Sequence, residues 1–259
     1  VNIKILLNDV LKAGKLTNKK RNELLASMED EVGELVLDNN YQQTQSIDNM
    51  LYQDKVVFHS YLRLIQHLEK IGLLKRKVEF IPDDKVLKAR FNSGIGLSAP
   101  EMSVVLAYSK ILLKGELLKT SIPSNNYFKS YLYRAFPDVL VKKYQKFIDE
   151  HYLAKEIIVT QVINEVIKYM GMGFVGRLID ATGSTIEQVI KAFIISKEIF
   201  DVDALWQQIE RLDGKVDAKV QRKMMNIISK LVRRVSRWFL RNRSSALNVE
   251  SLIKELKPK

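Results

Sequence analysis

The chain has 259 residues, a net charge of +12 and a 46% hydrophobic content, enough for one large or two small helical bodies with a core. It contains no cysteine, which excludes disulfides and thiolate metal sites and agrees with a reducing, cytoplasmic setting. No uninterrupted apolar run reaches the roughly 18 residues of a membrane span, and no secretory signal pattern opens the chain, so no membrane partner is expected. The charge is uneven. Residues 215–243 carry ten Lys and Arg against one Asp, a net of +9, and residues 244–259 add +1, leaving +2 for residues 1–214. The basicity belongs to one segment.

Val1 opens mid-pattern without an initiator Met, as expected of a piece of a longer chain. Val1, Ile3 and Ile5 alternate like a strand, but Leu6, Leu7, Val10 and Leu11 continue at helical spacing and Gly14 stops them, which favours a helix. Thr17 is placed to cap a helix to about Leu37, with Leu24, Leu25, Met28, Val32, Leu35 and Val36 inward and Asn39-Asn40 ending it. A second amphipathic segment runs from about Gln42 to Ile71, with a break expected near Gln53 and Gly72 as its exit. Leu73 to Ile81 reads as irregular, and Pro82-Asp83-Asp84 starts a short helix to about Asn92.

Gly94 and Gly96 turn the chain into its strongest helix start. Ser98 and Glu101 stand at capping-box spacing, Leu97 and Met102 at the staple positions, and Pro100 in the first turn. The helix that follows is apolar at 102, 104 to 107, 111 to 113, 117 and 118, the pattern of a helix buried on all sides. It is expected to be the central element of the fold, over about 99–118.

Ile122 to Asn126 reads as a loop, followed by a short aromatic helix to Phe136 and another beginning at Pro137-Asp138 with the proline at N1. His151 separates that helix from Leu153–Met170, and Gly171 and Gly173 mark its exit. Gly183 closes a further short helix. Ser184 to Glu187 has capping-box spacing and opens a helix over 185–199. Asp201 or Asp203 starts one more through Leu212, Asp213-Gly214 turns, the basic helix 215–243 follows, and a small helix after Asn248 ends the chain. No hairpin signal and no fixed repeat is present.

Gly171-Met172-Gly173-Phe174-Val175-Gly176 matches the dinucleotide fingerprint letter for letter. That motif works only after a strand, whereas Glu156 to Met170 has helical periodicity, so these glycines read as a helix exit. Gly94 to Ala99 fails on the same ground. His59 and His67 stand eight apart rather than four, and with His151 they read as solvated or core imidazoles. Glu101 is explained by capping, and seryl-nucleophile, Walker and EF-hand patterns are absent. No catalytic, cofactor-binding or metal residue is therefore assigned.

In the basic helix, Arg222, Lys223, Lys230, Arg233, Arg234, Arg237, Arg241 and Arg243 interleave with Met224, Ile227, Ile228, Leu231, Val235, Trp238 and Phe239. The apolar set follows helical spacing and reads as the core face, with the cations on the remaining arc. That arc is solvated, docks on an acidic surface, or contacts phosphate. A basic stripe alone is only the first item of a nucleic-acid diagnosis, so nucleic acid is not the expected partner.

Several stretches resemble, in order, the C-terminal part of the large bacterial NAD-specific glutamate dehydrogenases. They are Val1 to Leu6, Arg21 to Met28 with Asp30-Glu31-Val32, Asp38 to Tyr41, Gly96 to Glu101 with Leu106 to Lys110, His151-Tyr152-Leu153 with Glu156-Ile157-Ile158, and Arg237 to Leu240. Ala99 stands where that family commonly has Arg, and His151 to Lys155 lacks its Arg-Arg pair. The resemblance implies a parent enzyme that oxidises L-glutamate to 2-oxoglutarate and ammonia with NAD. It also implies that the catalytic lysine, aspartate and Rossmann domain lie upstream of Val1. The expectation is an all-α, multi-helix body around a buried helix at about 99–118, with a long basic helix near the C-terminus. Residues 1–14 are the tail of a preceding element, and 15–259 a helical module divisible into 15–120 and 121–259. The expected role is structural, assembly or regulatory, with the upstream catalytic domain as partner, in a homo-oligomer. The alternative is a nucleic-acid-binding module working through 215–243.

Overall fold

The computed structural model describes residues 1–243 and 247–257, residues 54–56 by their backbone alone. Thirteen α-helices and two 3-10 turns make up the secondary structure among the described residues, with no strand. The helices are α1 (Asn2–Lys12), α2 (Asn18–Ser27), α3 (Glu29–Lys70), α4 (Asp84–Asn92), α5 (Ala99–Leu117), α6 (Lys129–Tyr133) and α7 (Asp138–Asp149). They continue with α8 (Ala154–Met170), α9 (Phe174–Thr182), α10 (Ile186–Ile199), α11 (Val202–Glu210), α12 (Ala218–Asn242) and α13 (Val249–Leu256). One hydrophobic core runs through the body from Leu6 of α1 to Leu252 of α13.

Of the two helices expected between Thr17 and Ile71, the first is shorter than its pattern and the second longer. α2 ends at a corner on Met28, whose side chain is buried, and α3 then runs 42 residues without interruption, about 63 Å at helical rise. Asn39-Asn40 therefore does not terminate a helix, nor does a break fall near Gln53. Around the asparagines, side chains one turn apart bond along the axis, with Gln43 Nε2 donating to Asn39 Oδ1 at 3.0 Å and Thr44 Oγ1 to the Asn40 carbonyl at 3.0 Å. The exit signal is overridden by a helix that continues into the core below, at Met50, Phe58, Tyr61 and Ile65.

The capping box opening α5 forms as its spacing requires. The Ser98 N–H donates to Glu101 Oε2 at 2.8 Å and the Glu101 N–H to Ser98 Oγ at 3.4 Å. Arg90 of α4 donates to the same carboxylate at 2.8 Å, so Glu101 has a guanidinium partner despite Ala99. Burial raises the Glu101 carboxyl, and the Ser98 and Arg90 bonds more than reverse this, leaving it below the usual range. Ser98→Ala is expected to cost ~1 kcal/mol, read as a lower urea midpoint at unchanged slope.

α5 packs between α3 and α8. It buries one side, through Met102, Val105, Leu106, Leu113 and Leu117, while Ile111 on the other side is 54% exposed. The deepest helices are α8 and α10, the latter with an unbroken buried run from Ala192 to Lys197. The second capping box is shifted by one residue from its expected register, with Thr185 and Gln188 making it. Glu187 is thereby released to accept from Ser121 Oγ at 2.6 Å and Lys191 Nζ at 2.6 Å, tying α10 to the turn after α5. Pro137 is the cap residue of α7 rather than its first helical residue.

Candidate docking surface

α12 begins at Asp217, whose side chain accepts the Lys219 N–H at 2.7 Å, and packs chiefly on α10. Its buried face is Gln221, Met225, Ser229, Val232, Ser236, Phe239 and Leu240. Met224, Ile227, Leu231 and Trp238 are exposed, Ile227 at 58% and Trp238 at 52%. The stripe that apolar character alone marks as core is thus largely the outer face, and only Phe239 of that set is fully inside.

The inner face is less apolar because its serines let two helices approach closely. Ser236 Oγ lies 3.2 Å from Ser196 Oγ of α10 and 2.8 Å from its own helix's Val232 carbonyl. Ser229 Oγ donates to the Tyr169 carbonyl at 2.6 Å. A hydroxyl satisfied by a carbonyl is buried at little cost, so these polar letters sit inside without disrupting the core.

The outer face combines the exposed apolar stripe, which Val220 extends, with Lys223, Lys230, Arg234, Arg237 and Arg241. None of these five cations has a carboxylate at ion-pair distance among the described residues. Arg222 differs. It pairs with Asp48 of α3 at 2.8 Å and lies over the Tyr52 ring. A single amphiphilic strip with apolar groups at spacings of 4, 3, 4 and 7 residues is the form of a helix that seats another surface.

The glycine-rich segment does not form a dinucleotide cradle. α8, a helix, precedes Gly171, and Gly171 and Gly173 stand in close contact with α3. Gly171 takes φ +72 as the exit from α8, and a Cβ there would meet the Met50 side chain at 3.1 Å. Gly94 likewise follows a helix, α4. His59 packs against Phe91, and His67 is exposed on α3. His151 is buried. Its Nδ1 accepts the Leu153 N–H at 3.0 Å, which leaves Nε2 to donate to the Asn2 carbonyl at 3.2 Å and tie α1 to the α7–α8 corner. No group of three His, Cys, Asp or Glu side chains suited to a metal occurs among the described residues.

An ionic cluster that carries no motif lies at the far end of α10. Lys197, 1% exposed, donates to Asp203 at 2.7 Å and Glu165 at 3.0 Å and pairs with Glu198 at 2.9 Å. The Tyr131 hydroxyl donates to Glu165 and the Tyr169 hydroxyl to Asp203. Burial alone lowers the Lys197 pKa, and the three carboxylates reverse it to a raised value. Burial raises Asp203, and Lys197 brings it below the ordinary carboxylate range. The cluster joins α8, α10 and α11, Arg134 adds a second cation 3.4 Å from Glu165, and Tyr131, Arg134, Glu165, Tyr169 and Asp203 line a cavity of about 470 Å³. Its one trace in the sequence is spacing: Lys197 falls a turn after Phe193 and two after Ile190, on the buried side of α10.

The fold is that of an all-helical module with an exposed apolar and basic strip along α12. A family model described as glutamate dehydrogenase, C-terminal, matches residues 94–259, and one for the bacterial NAD-glutamate dehydrogenase catalytic domain matches residues 1–50. This chain belongs to the NAD-specific glutamate dehydrogenase family. It is 42% identical over 94% of its length to the NAD-specific glutamate dehydrogenase of Halomonas elongata, and 42% identical over 96% to that of Pseudomonas aeruginosa. Against the enzyme of the same name from Mycobacterium tuberculosis it is 30% identical over 96%. The chain spans about 15% of the length of each of these relatives. No helix among the described residues is long and apolar enough to cross a membrane.

Proposed function

We propose that this chain is the C-terminal, non-catalytic helical module of a cytoplasmic, homo-oligomeric NAD-specific glutamate dehydrogenase. The parent enzyme converts L-glutamate, NAD and water to 2-oxoglutarate, ammonia and NADH. Its catalytic groups and its NAD site lie upstream in the longer chain, and the match to the catalytic-domain model continues from there over residues 1–50. The module holds that upstream body through the outer face of α12.

The observation that carries this reading is the exposed apolar stripe of α12 with five cations that have no carboxylate partner among the described residues. Apolar groups leave water most favourably against another apolar surface, and the surrounding cations select one with carboxylates at its rim. A second copy's α12 is a poor occupant, because it would bring like charges together.

Exchanging Ile227 and Leu231 for Asp in the full-length enzyme tests it. The isolated chain should unfold within about 2 °C of the parent, as exposed positions allow. The intact enzyme should lose its assembly by light scattering, and most of its glutamate-dependent NAD reduction with it. Unchanged assembly and activity would overturn the docking role. Glutamate-dependent NADH production by the isolated chain would overturn the non-catalytic one. Retention of duplex DNA at physiological salt, with a steep salt slope, would reassign the α12 face to phosphate.

A further inference from the structure

α3 is one uninterrupted helix from Glu29 to Lys70, yet its two halves have different surroundings. Beyond Met50 it belongs to the core, where Phe58, Tyr61, Ile65 and Leu68 are buried. Residues 33–41 are exposed without exception, about two and a half turns of helix. One side of these turns, with Leu35, Asp38, Asn39 and Gln42, lines the cavity of about 470 Å³ beside α6, α8 and α11. Stepped at about 100° per residue, Gly33, Val36, Leu37, Asn40 and Thr44 share the opposite face, turned away from the body.

That outer face is not composed for water. None of its five residues is charged, although Asp, Glu, Lys and Arg make up 28% of the chain. Val36 is 54% and Leu37 69% exposed, and a helix side left to solvent ordinarily carries charge. Gly33 adds an independent sign. Glycine inside a helix is less stable than alanine, and a Cβ there would meet nothing within 4 Å. The packing of this chain does not ask for a glycine at 33, whereas a closely set partner would. The two family matches divide the same helix. The catalytic-domain match covers residues 1–50, and the C-terminal match, from residue 94 on, contains α5 and α8, against which α3 packs. The exposed turns lie on the catalytic side of that division.

We propose that the catalytic domain preceding Val1 in the longer chain packs, within the same copy, on the Gly33, Val36, Leu37, Asn40 and Thr44 face of α3 through a closely set apolar surface. The inference rests on the reading that such a domain lies upstream, and not on the α12 face. A catalytic domain whose match runs to residue 50 already includes these turns, so its remaining part is the cover that fits them. Burying Val36 and Leu37 there is favourable, and the uncharged face strands no charge. Because α3 is unbroken from the exposed turns to the core, it sets the orientation of the catalytic domain on the helical body as a single strut.

Benzoylphenylalanine in place of Val36 in the full-length enzyme, irradiated and mapped by mass spectrometry, reads the occupant directly. Cross-linked peptides should lie upstream of Val1 in the same copy, with no dimer band on a denaturing gel. A dimer band would give the face to a second copy, and the absence of any cross-link would leave it to solvent; either overturns the proposal. Two variants supply an independent reading. Val36→Lys with Leu37→Lys should unfold within about 2 °C of the parent as the isolated chain, because both positions are exposed. In the full-length enzyme the same pair should lower glutamate-dependent NAD reduction by roughly tenfold or more, as a misplaced catalytic domain would. Gly33→Leu should not lower the Tm of the isolated chain and should lower that of the full-length enzyme. Unchanged activity in the lysine pair and an unchanged full-length Tm in Gly33→Leu would overturn the proposal. With Ile227 and Leu231 exchanged for Asp, the cross-link from position 36 should persist even where assembly is lost, so a failure of the α12 docking role and a failure here are read separately.

Discussion

Lys197→Met is expected to lower the stability of the chain by ~3–5 kcal/mol, a fall in Tm on the order of 10 °C. The size follows from burial. Lys197 is 1% exposed and faces Glu165, Glu198 and Asp203, so removing its charge strands carboxylates that water does not fully reach. Differential scanning calorimetry of the variant measures the loss, and an unchanged Tm would mean that the cluster does not hold α8, α10 and α11 together. Lys197→Met with Asp203→Asn should cost less than the two single changes summed, because the second removes a charge the first has orphaned. The pH dependence has a determined sign. Asp203 titrates below its ordinary value in the folded chain, so its contribution is present above the unfolded carboxylate pKa and is lost as pH falls through the folded one. Lys197 titrates above its ordinary value, so its contribution is complete below the unfolded lysine pKa and is lost as pH rises through the folded one. The parent chain should therefore weaken in acid below about pH 4, and Lys197→Met should show a flatter acid limb.

The adjacent pair Trp238 and Phe239 should respond in opposite ways. Phe239→Ala is expected to cost ~3–5 kcal/mol, because its ring is 2% exposed and leaves a cavity between α12 and the body. Trp238→Ala should cost about 1 kcal/mol or less, the worth of its edge contact with Phe239 at 5.3 Å, since the indole otherwise meets water. Paired urea titrations decide the matter, and equal losses would return both rings to one buried face. In the full-length enzyme the order should invert for assembly at matched folded fraction, with Trp238→Ala the more damaging. On the proposed reading, stability and docking fall to neighbouring residues on different sides of one helix.

Reading α12 by apolar letters alone gives the wrong side because two stripes compete. Met224, Ile227, Leu231 and Trp238 form the more continuous hydrophobic series, whereas the true core face contains Gln221, Ser229 and Ser236. Gln221 is admitted by a bond to the Ile209 carbonyl at 2.9 Å, and the serines by carbonyls of their own helix and of Tyr169. The partners outside α12 are Tyr169 of α8 and Ile209 of α11, and nothing in the local pattern announces them.

What the chain decides by itself is local. Thr17, Ser98 and Asn248 cap helices because an oxygen two or three residues before an orphan N–H needs no distant partner. Gly183 ends α9 in a left-handed conformation that its lack of a Cβ permits. The all-helical class and the family likewise follow from residues read in order. Tertiary structure alone decides that α3 runs through Asn39-Asn40, that a lysine sits at the meeting of α8, α10 and α11, and that α12 turns its serines inward. The last two depend on groups brought together from far apart in the chain, where burial and shared hydrogen bonds outweigh the preference of any short segment, whereas α3 crosses its exposed residues 33–41 on bonds one turn apart and reaches the core only further along.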